Sequence, residues 1–166
     1  PTHPPVPEKV IHKRLNEEER KAATVAALAF TASPEHVRKR GHRIPDGLST
    51  PIVVEDRLES VRRTKDVVAF LRAIGLGEEL ERTSETGIRA GKGKRRGRRY
   101  KRRKGPLLVV AKDEGISEAA SNVPGIDVVL AKDLSVLHLA PGGHPGRLTV
   151  FTVSALKELE RRFGAA

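Results

Sequence analysis

The sequence predicts an α/β fold: a layered domain in which helices flank a mainly parallel sheet of about four strands. Four short apolar runs, Ile52–Val54, Leu107–Val110, Asp127–Leu130 and 148–152, are rich in branched residues and have strand length. Helical patterns separate them, the alternation that puts strands parallel and helices on the sheet faces. Only 3% of the residues are aromatic, so the core must be aliphatic, which suits helices packed on a sheet.

Each element has its own local cause. Residues 1–9, PTHPPVPEK, hold four prolines and read as an extended arm of polyproline geometry. A single globular α/β domain is expected over residues 10–166, with a basic insertion at 88–104. The first helix starts at Asn16, a good N-cap, with Glu19 at capping-box distance and Glu17 to Glu19 at the positive end of the helix dipole. Ser33, Pro34 and Gly41 bracket a second, short helix. Thr64 is expected to cap a third helix whose stripe is Val67, Val68, Leu71 and Ile74, ended by Gly75. EELER adds helical turns, ISEAASNVPG a short helix, and Leu134 to Leu137 a single turn. SALKELERRF closes the chain as a helix with Leu156, Leu159 and Phe163 on one side and cations toward its end.

Charge is the second organising feature. The chain has 32 Lys and Arg against 21 Asp and Glu, a net charge of +11. Residues 89–104, RAGKGKRRGRRYKRRK, contain eleven basic residues and no acid, so without them 21 cations face 21 acids. The molecule is a neutral body carrying a local polycation. The eleven are Arg89, Lys92, Lys94, Arg95, Arg96, Arg98, Arg99, Lys101, Arg102, Arg103 and Lys104, with Tyr100 among them. Such a stretch repels itself and is expected to be disordered or loosely held when free. Phosphates are its natural counter-charge: they release counterions on binding, and Arg adds bidentate geometry. Tyr100 offers one ring for a base. A solvated charge run or a nuclear-import signal are the plainer readings of the same residues.

Other chemistries find little support. Cysteine is absent, which removes disulfides and thiolate sites. No apolar run approaches the ~20 residues of a membrane span, and no signal-peptide core is present. GIRAGKG misses the P-loop: three residues, not four, separate Gly87 from Gly91, and Gly93 follows Lys92 where Ser or Thr is needed. Gly91, Gly93 and Gly97 miss the dinucleotide spacing. The six histidines show no metal-ligand spacing, so no metal and no cofactor are expected. APGGHPGR, residues 140–147, fixes a tight turn at the N-terminal end of the last strand, the end opposite to where parallel α/β enzymes bind ligands. His144 and Arg147 in this turn, and His42 and Arg43 in GHR, are candidate contacts to RNA or plain structural residues.

GHRI (41–44), PIVVED (51–56), TKDVVAFL (64–71), IRAGKGKRRGRR (88–99), NVPGIDVV (122–129), LAPGGHPGRLTVFT (139–152) and SALKEL (154–159) together closely resemble the archaeal and eukaryotic branch of large-subunit ribosomal protein four, the universal L-four family. The resemblance covers nearly the whole chain in order. It implies an α/β globular domain that binds large-subunit ribosomal RNA, a structural and non-enzymatic constituent of the cytoplasmic large subunit that supports its assembly and translation, beside neighbouring ribosomal proteins. It implies no membrane and no small-molecule substrate. RNA contact carries over to 89–104, and further to 143–147 and to His42 and Arg43. Family members also have an N-terminal region and a long loop lining the polypeptide exit tunnel. This chain begins where that loop returns, and residues 3–5, HPP, resemble its end. A fragment of an archaeal-type protein is therefore expected, consistent with the lack of an initial Met. Two other functions fit the residues less well: a nucleotide-using α/β enzyme, and an extra-ribosomal regulator that binds messenger RNA.

Overall fold

The computed structural model describes residues 3–4 and 6–164. In chain order the elements are α1 (Glu17–Thr31), α2 (Pro34–Lys39), β1 (Ile52–Val54), α3 (Thr64–Ala73), α4 (Gly77–Ser84), β2 (Thr86–Ile88), β3 (Tyr100–Arg102), β4 (Leu107–Val110), α5 (Ile116–Ser121), β5 (Asp127–Leu130), α6 (Val136–Leu139), β6 (Thr149–Thr152) and α7 (Val153–Phe163). β1, β6, β4 and β5 form one sheet in that spatial order, and all three pairings are parallel. Leu108 sits between Val150 and Val128 in register.

Every residue of the central strands β4 and β6 is buried, which is why LLVV and TVFT carry no outward polar alternation beyond threonine. Leu108, Val110, Val150 and Ile52 face Val67 and Leu71 of α3 and Ile116, Ala119 and Ala120 of α5. Leu107, Val109 and Phe151 face the other way, onto Ala27 of α1, Leu139 of α6 and Ala155 and Leu159 of α7. The result is three layers, with the apolar surface removed from water as the main stabilising term. The crossover through α5 lies on one face and that through α6 on the other, so the chain reverses direction across the sheet between β4 and β6.

The predicted α/β architecture and its four parallel strands are present; the details differ at the edges. Asn16 occupies the N-cap position but its side chain makes no capping bond. Arg63, not Thr64, is the N-cap of α3. The turn expected at Leu134 to Leu137 lies at Val136–Leu139, because Ser135 and His138 form a reciprocal capping box there. The last strand starts at Thr149, after the Leu148 carbonyl accepts from the Leu107 N–H at 2.9 Å. Of the arm, Pro1, Thr2 and Pro5 lie outside the described residues; residues 6–9 make a turn, and the first regular element begins only at Glu17.

The largest difference is in the basic stretch. Expected to be loose, it is an antiparallel hairpin of β2 and β3, with a short helical turn at Lys92–Arg95 in its tip. Repulsion is tolerated because the cations splay outward while the backbone satisfies itself. The Arg89 N–H donates to the Arg99 carbonyl at 2.8 Å, and Arg96 and Arg98 both donate to Gly93. The Arg89 side chain closes the tip with Nε on the Arg98 carbonyl at 3.0 Å.

Candidate nucleic-acid interface

The hairpin and the 140–147 turn lie at the same end of the molecule, where β4 and β6 begin. Arg147 fastens that end. Its side chain is 1% exposed. Nε donates to the Gly105 carbonyl at 2.9 Å, Nη1 to the His138 carbonyl at 3.0 Å, and Nη2 to Asp127 Oδ2 at 2.6 Å. One planar guanidinium thus ties the entries of β4, β5 and β6 together. Asp127 also takes Lys104 Nζ at 2.9 Å. Burial would raise the Asp127 pKa, but its bonds to Lys104 and Arg147 outweigh that and hold it below the usual carboxylate range.

A second buried network secures the root of the hairpin. Glu79 of α4 is wholly buried. Its carboxylate accepts from Arg82 through both Nε (2.7 Å) and Nη2 (2.6 Å), from the Arg43 N–H at 2.9 Å, and from His42 Nδ1 at 2.6 Å. Arg82 Nη2 reaches on to the Lys104 carbonyl at 2.8 Å. Burial would raise the pKa of Glu79, yet these donors hold it low. For His42, burial is the largest influence and lowers its pKa against the opposing pull of Glu79, so the ring is neutral with Nδ1–H on the carboxylate.

These networks change the reading of two candidate contacts. His42 and Arg147 are interior fasteners, since each already spends its donors on buried partners. Arg43 lends only its N–H to Glu79 and keeps its side chain exposed, and His144 is exposed on the turn. In the hairpin, Arg89 is half-buried, while Lys92, Lys94, Arg95, Arg96, Arg98, Arg99, Tyr100, Lys101, Arg102, Arg103 and Lys104 are exposed. Arg103 pairs with Glu85 at 2.9 Å and Lys104 with Asp127. Among the described residues, the tip cations from Lys92 to Arg99 have no acidic partner.

Between the hairpin and α2 runs a groove of about 1080 Å³. One wall is 86–88 and 101–104 of the hairpin; the other is His36, Lys39 and Arg40 with His144 and Pro145; His42 and Arg82 also line it. Arg40 is braced by Nη2 on the Pro141 carbonyl at 2.9 Å. The turn sits against α2 so closely that a Cβ on Gly146 would lie 2.8 Å from the His36 carbonyl oxygen, and Gly146 has φ +86°. Lys39, Arg40 and Arg82 line the groove too and lie outside every segment that the sequence singled out for RNA contact. The run of cations at 38–40 was the available signal; no local pattern links it to residues more than 60 positions later.

At the opposite end of the sheet a buried carboxylate collects the strand-end donors. Glu59, 6% exposed, accepts from the Ala111 N–H at 2.8 Å, the Lys112 N–H at 3.2 Å and the Thr152 hydroxyl at 2.8 Å. These groups flank the point where the chain reverses between β4 and β6, the crevice in which open α/β sheets bind nucleotides. A carboxylate there occupies the N–H groups and repels phosphate. Among the described residues, no group of three His, Cys, Asp or Glu could hold a metal ion, and no helix is long and apolar enough to cross a membrane.

Comparison with known proteins places the chain in a family. Residues 1–162 match the model of the Ribosomal protein L4/L1 family. The chain is 54% identical over 163 residues to the large ribosomal subunit protein uL4 of Methanopyrus kandleri, covering 98% of this chain and 63% of the relative. The protein of the same name from Archaeoglobus fulgidus is 51% identical over 95% of this chain and 62% of its own length, and that from Sulfolobus acidocaldarius 46% identical over 96% and 60%. The chain therefore spans about three fifths of the length of these relatives. A match along nearly every described element, basic hairpin included, makes this chain a member of the ribosomal protein L4/L1 family.

Proposed function

We propose that this chain binds large-subunit ribosomal RNA through its basic hairpin and the adjoining groove, as a structural, non-enzymatic constituent of the cytoplasmic large ribosomal subunit. Subunit assembly and translation would depend on it, and neighbouring ribosomal proteins would be its other partners. The observation that carries the reading is convergence: cations from α2, α4 and the hairpin meet at one groove, beside an uncompensated cationic tip. Relatives named as large ribosomal subunit proteins support the same partner.

The mechanism is electrostatic. The neutral domain sets the position of the hairpin, and the hairpin neutralises phosphates that would otherwise repel one another. Lys39, Arg40 and His144 extend the contact across the groove. Lys104 and Arg103, already paired with Asp127 and Glu85, serve mainly to hold the hairpin's base.

Binding to a large-subunit rRNA fragment across a salt series is the test. If ~6–10 phosphates are contacted, affinity should fall ~10³–10⁵-fold between about 50 and 200 mM salt, by analogy with duplex DNA. Replacing Arg95, Arg96, Arg98 and Arg99 together with Ala should flatten that dependence. An unchanged slope would sink the assignment of the tip.

A further inference from the structure

The hairpin carries one feature that charge does not explain. Thr86 pairs with Arg102, Gly87 with Lys101 and Ile88 with Tyr100. The bond from the Arg89 N–H to the Arg99 carbonyl marks the next pair as hydrogen-bonded. Pairs alternate along an antiparallel ladder, so Ile88 and Tyr100 form a non-bonded pair, the type whose side chains stand closest together. They share the face of Thr86 and Arg102, two residues that line the groove, and Ile88 lines it too. Both are far out in solvent: Ile88 is 65% exposed and Tyr100 57%. The Arg99 guanidinium lies 5.9 Å from the tyrosine ring centre.

An exposed apolar pair with Arg102 on the same face and the Arg99 guanidinium beside the tyrosine ring fits a partner that is flat and apolar in one part and anionic in the next. That is the description of a nucleotide whose base is out of its stack. In a duplex the base faces are covered and the outer surface is sugar and phosphate, which gains nothing from an isoleucine and a tyrosine. We propose that Ile88 and Tyr100 form a stacking platform for one unpaired base of RNA, with the adjoining backbone running into the groove between Arg102 and Lys39. The proposal rests on the RNA-binding reading and narrows it: the groove takes a single-stranded or bulged segment, not a continuous helix.

The sequence supplies its own reporter, since Tyr100 is the one tyrosine and there is no tryptophan. The full chain is titrated with a single-stranded RNA oligomer and, separately, with a fully paired RNA hairpin of equal nucleotide count, reading tyrosine fluorescence and affinity. Saturable quenching is expected with the single strand and not with the duplex. Tyr100→Thr keeps a strand-forming residue while removing the ring. It should weaken single-strand binding about 10- to 100-fold and leave duplex binding and the salt slope unchanged. Tyr100→Phe should restore the lost affinity. Equal affinity of Tyr100→Thr and the parent for the single strand would overturn the platform, as would an equal loss for both RNAs. Wild-type binding with no salt dependence would overturn the RNA-binding reading itself, and the platform with it.

Discussion

The two ends of the sheet have opposite electrostatics. At the C-terminal end of the strands a single buried carboxylate, Glu59, collects the free N–H groups and a threonine hydroxyl. At the N-terminal end a buried guanidinium, Arg147, collects the carbonyls, and the surface above it is a cationic groove. In each case a buried ion of the right sign satisfies strand-end backbone. The consequence is that the usual ligand crevice of this architecture is filled by the protein's own acid, while the customarily idle end carries the cationic groove. Shared topology does not decide the electrostatics of either end; the charge of the side chain that plugs each end does.

The comparison breaks most visibly at Arg147. Arg147→Met keeps much of the side chain's bulk but leaves Asp127 and three strand entries without their common partner. Urea denaturation should show a loss on the order of 3 kcal/mol, as expected when several strand-end carbonyls lose one shared buried donor together. A loss no larger than that of a surface substitution would mean the clasp is ornamental. Glu59→Gln probes the other end. The amide cannot accept as strongly from both N–H groups and the hydroxyl, so a smaller loss, about 1–3 kcal/mol, is expected, with RNA affinity unchanged. Neither ATP nor NAD should raise the melting temperature of the parent protein, because Glu59 holds the phosphate position; a clear shift would reopen the enzyme reading.

Acid should give the mildest effect. His42 protonates near 6.5 when unfolded and lower when folded, so across that interval the unfolded chain holds more protons and stability falls as pH drops below about 6.5. Glu79 and Asp127 act in the same direction lower down. Their folded pKa values lie below their ordinary 4.5 and 3.8, so their contribution is full above that range and lost as pH falls through the folded values. Melting temperatures at pH 7, 5.5 and 4 test this, and Glu79→Gln should flatten the part of the decline below about pH 4.5, where Glu79 itself titrates. A melting temperature flat across that range would remove both networks from the stability account.

The sheet was legible in the sequence because burial on both faces forces continuous apolar runs, and helices announced themselves through Pro34, Gly41 and Gly75. The hairpin was not. Thr86–Ile88 and Tyr100–Arg102 have no inward face, so they carry no alternation to read. Arg147 sits in a proline- and glycine-rich turn, where an arginine reads as surface. Its one trace was Asp127, an acid opening an otherwise apolar strand, which needed a cation from somewhere. Glu59, in RLESV, looked like any surface acid. The groove is tertiary by construction: Lys39 and Arg102 meet only after the whole sheet has formed.

The root of the hairpin also joins the sheet directly through its backbone. The Gly105 N–H donates to the Gly125 carbonyl at 2.8 Å, and a Cβ on Gly125 would lie 2.8 Å from the Arg103 carbonyl oxygen. Arg82 and Lys104 pin the same root from two other directions. Mechanically this is a cantilever: clamped at its base and carrying its charge at its far end. Such a beam transmits angle. The heading of the tip is set by the strands beneath it, so the protein delivers its cations along a fixed bearing.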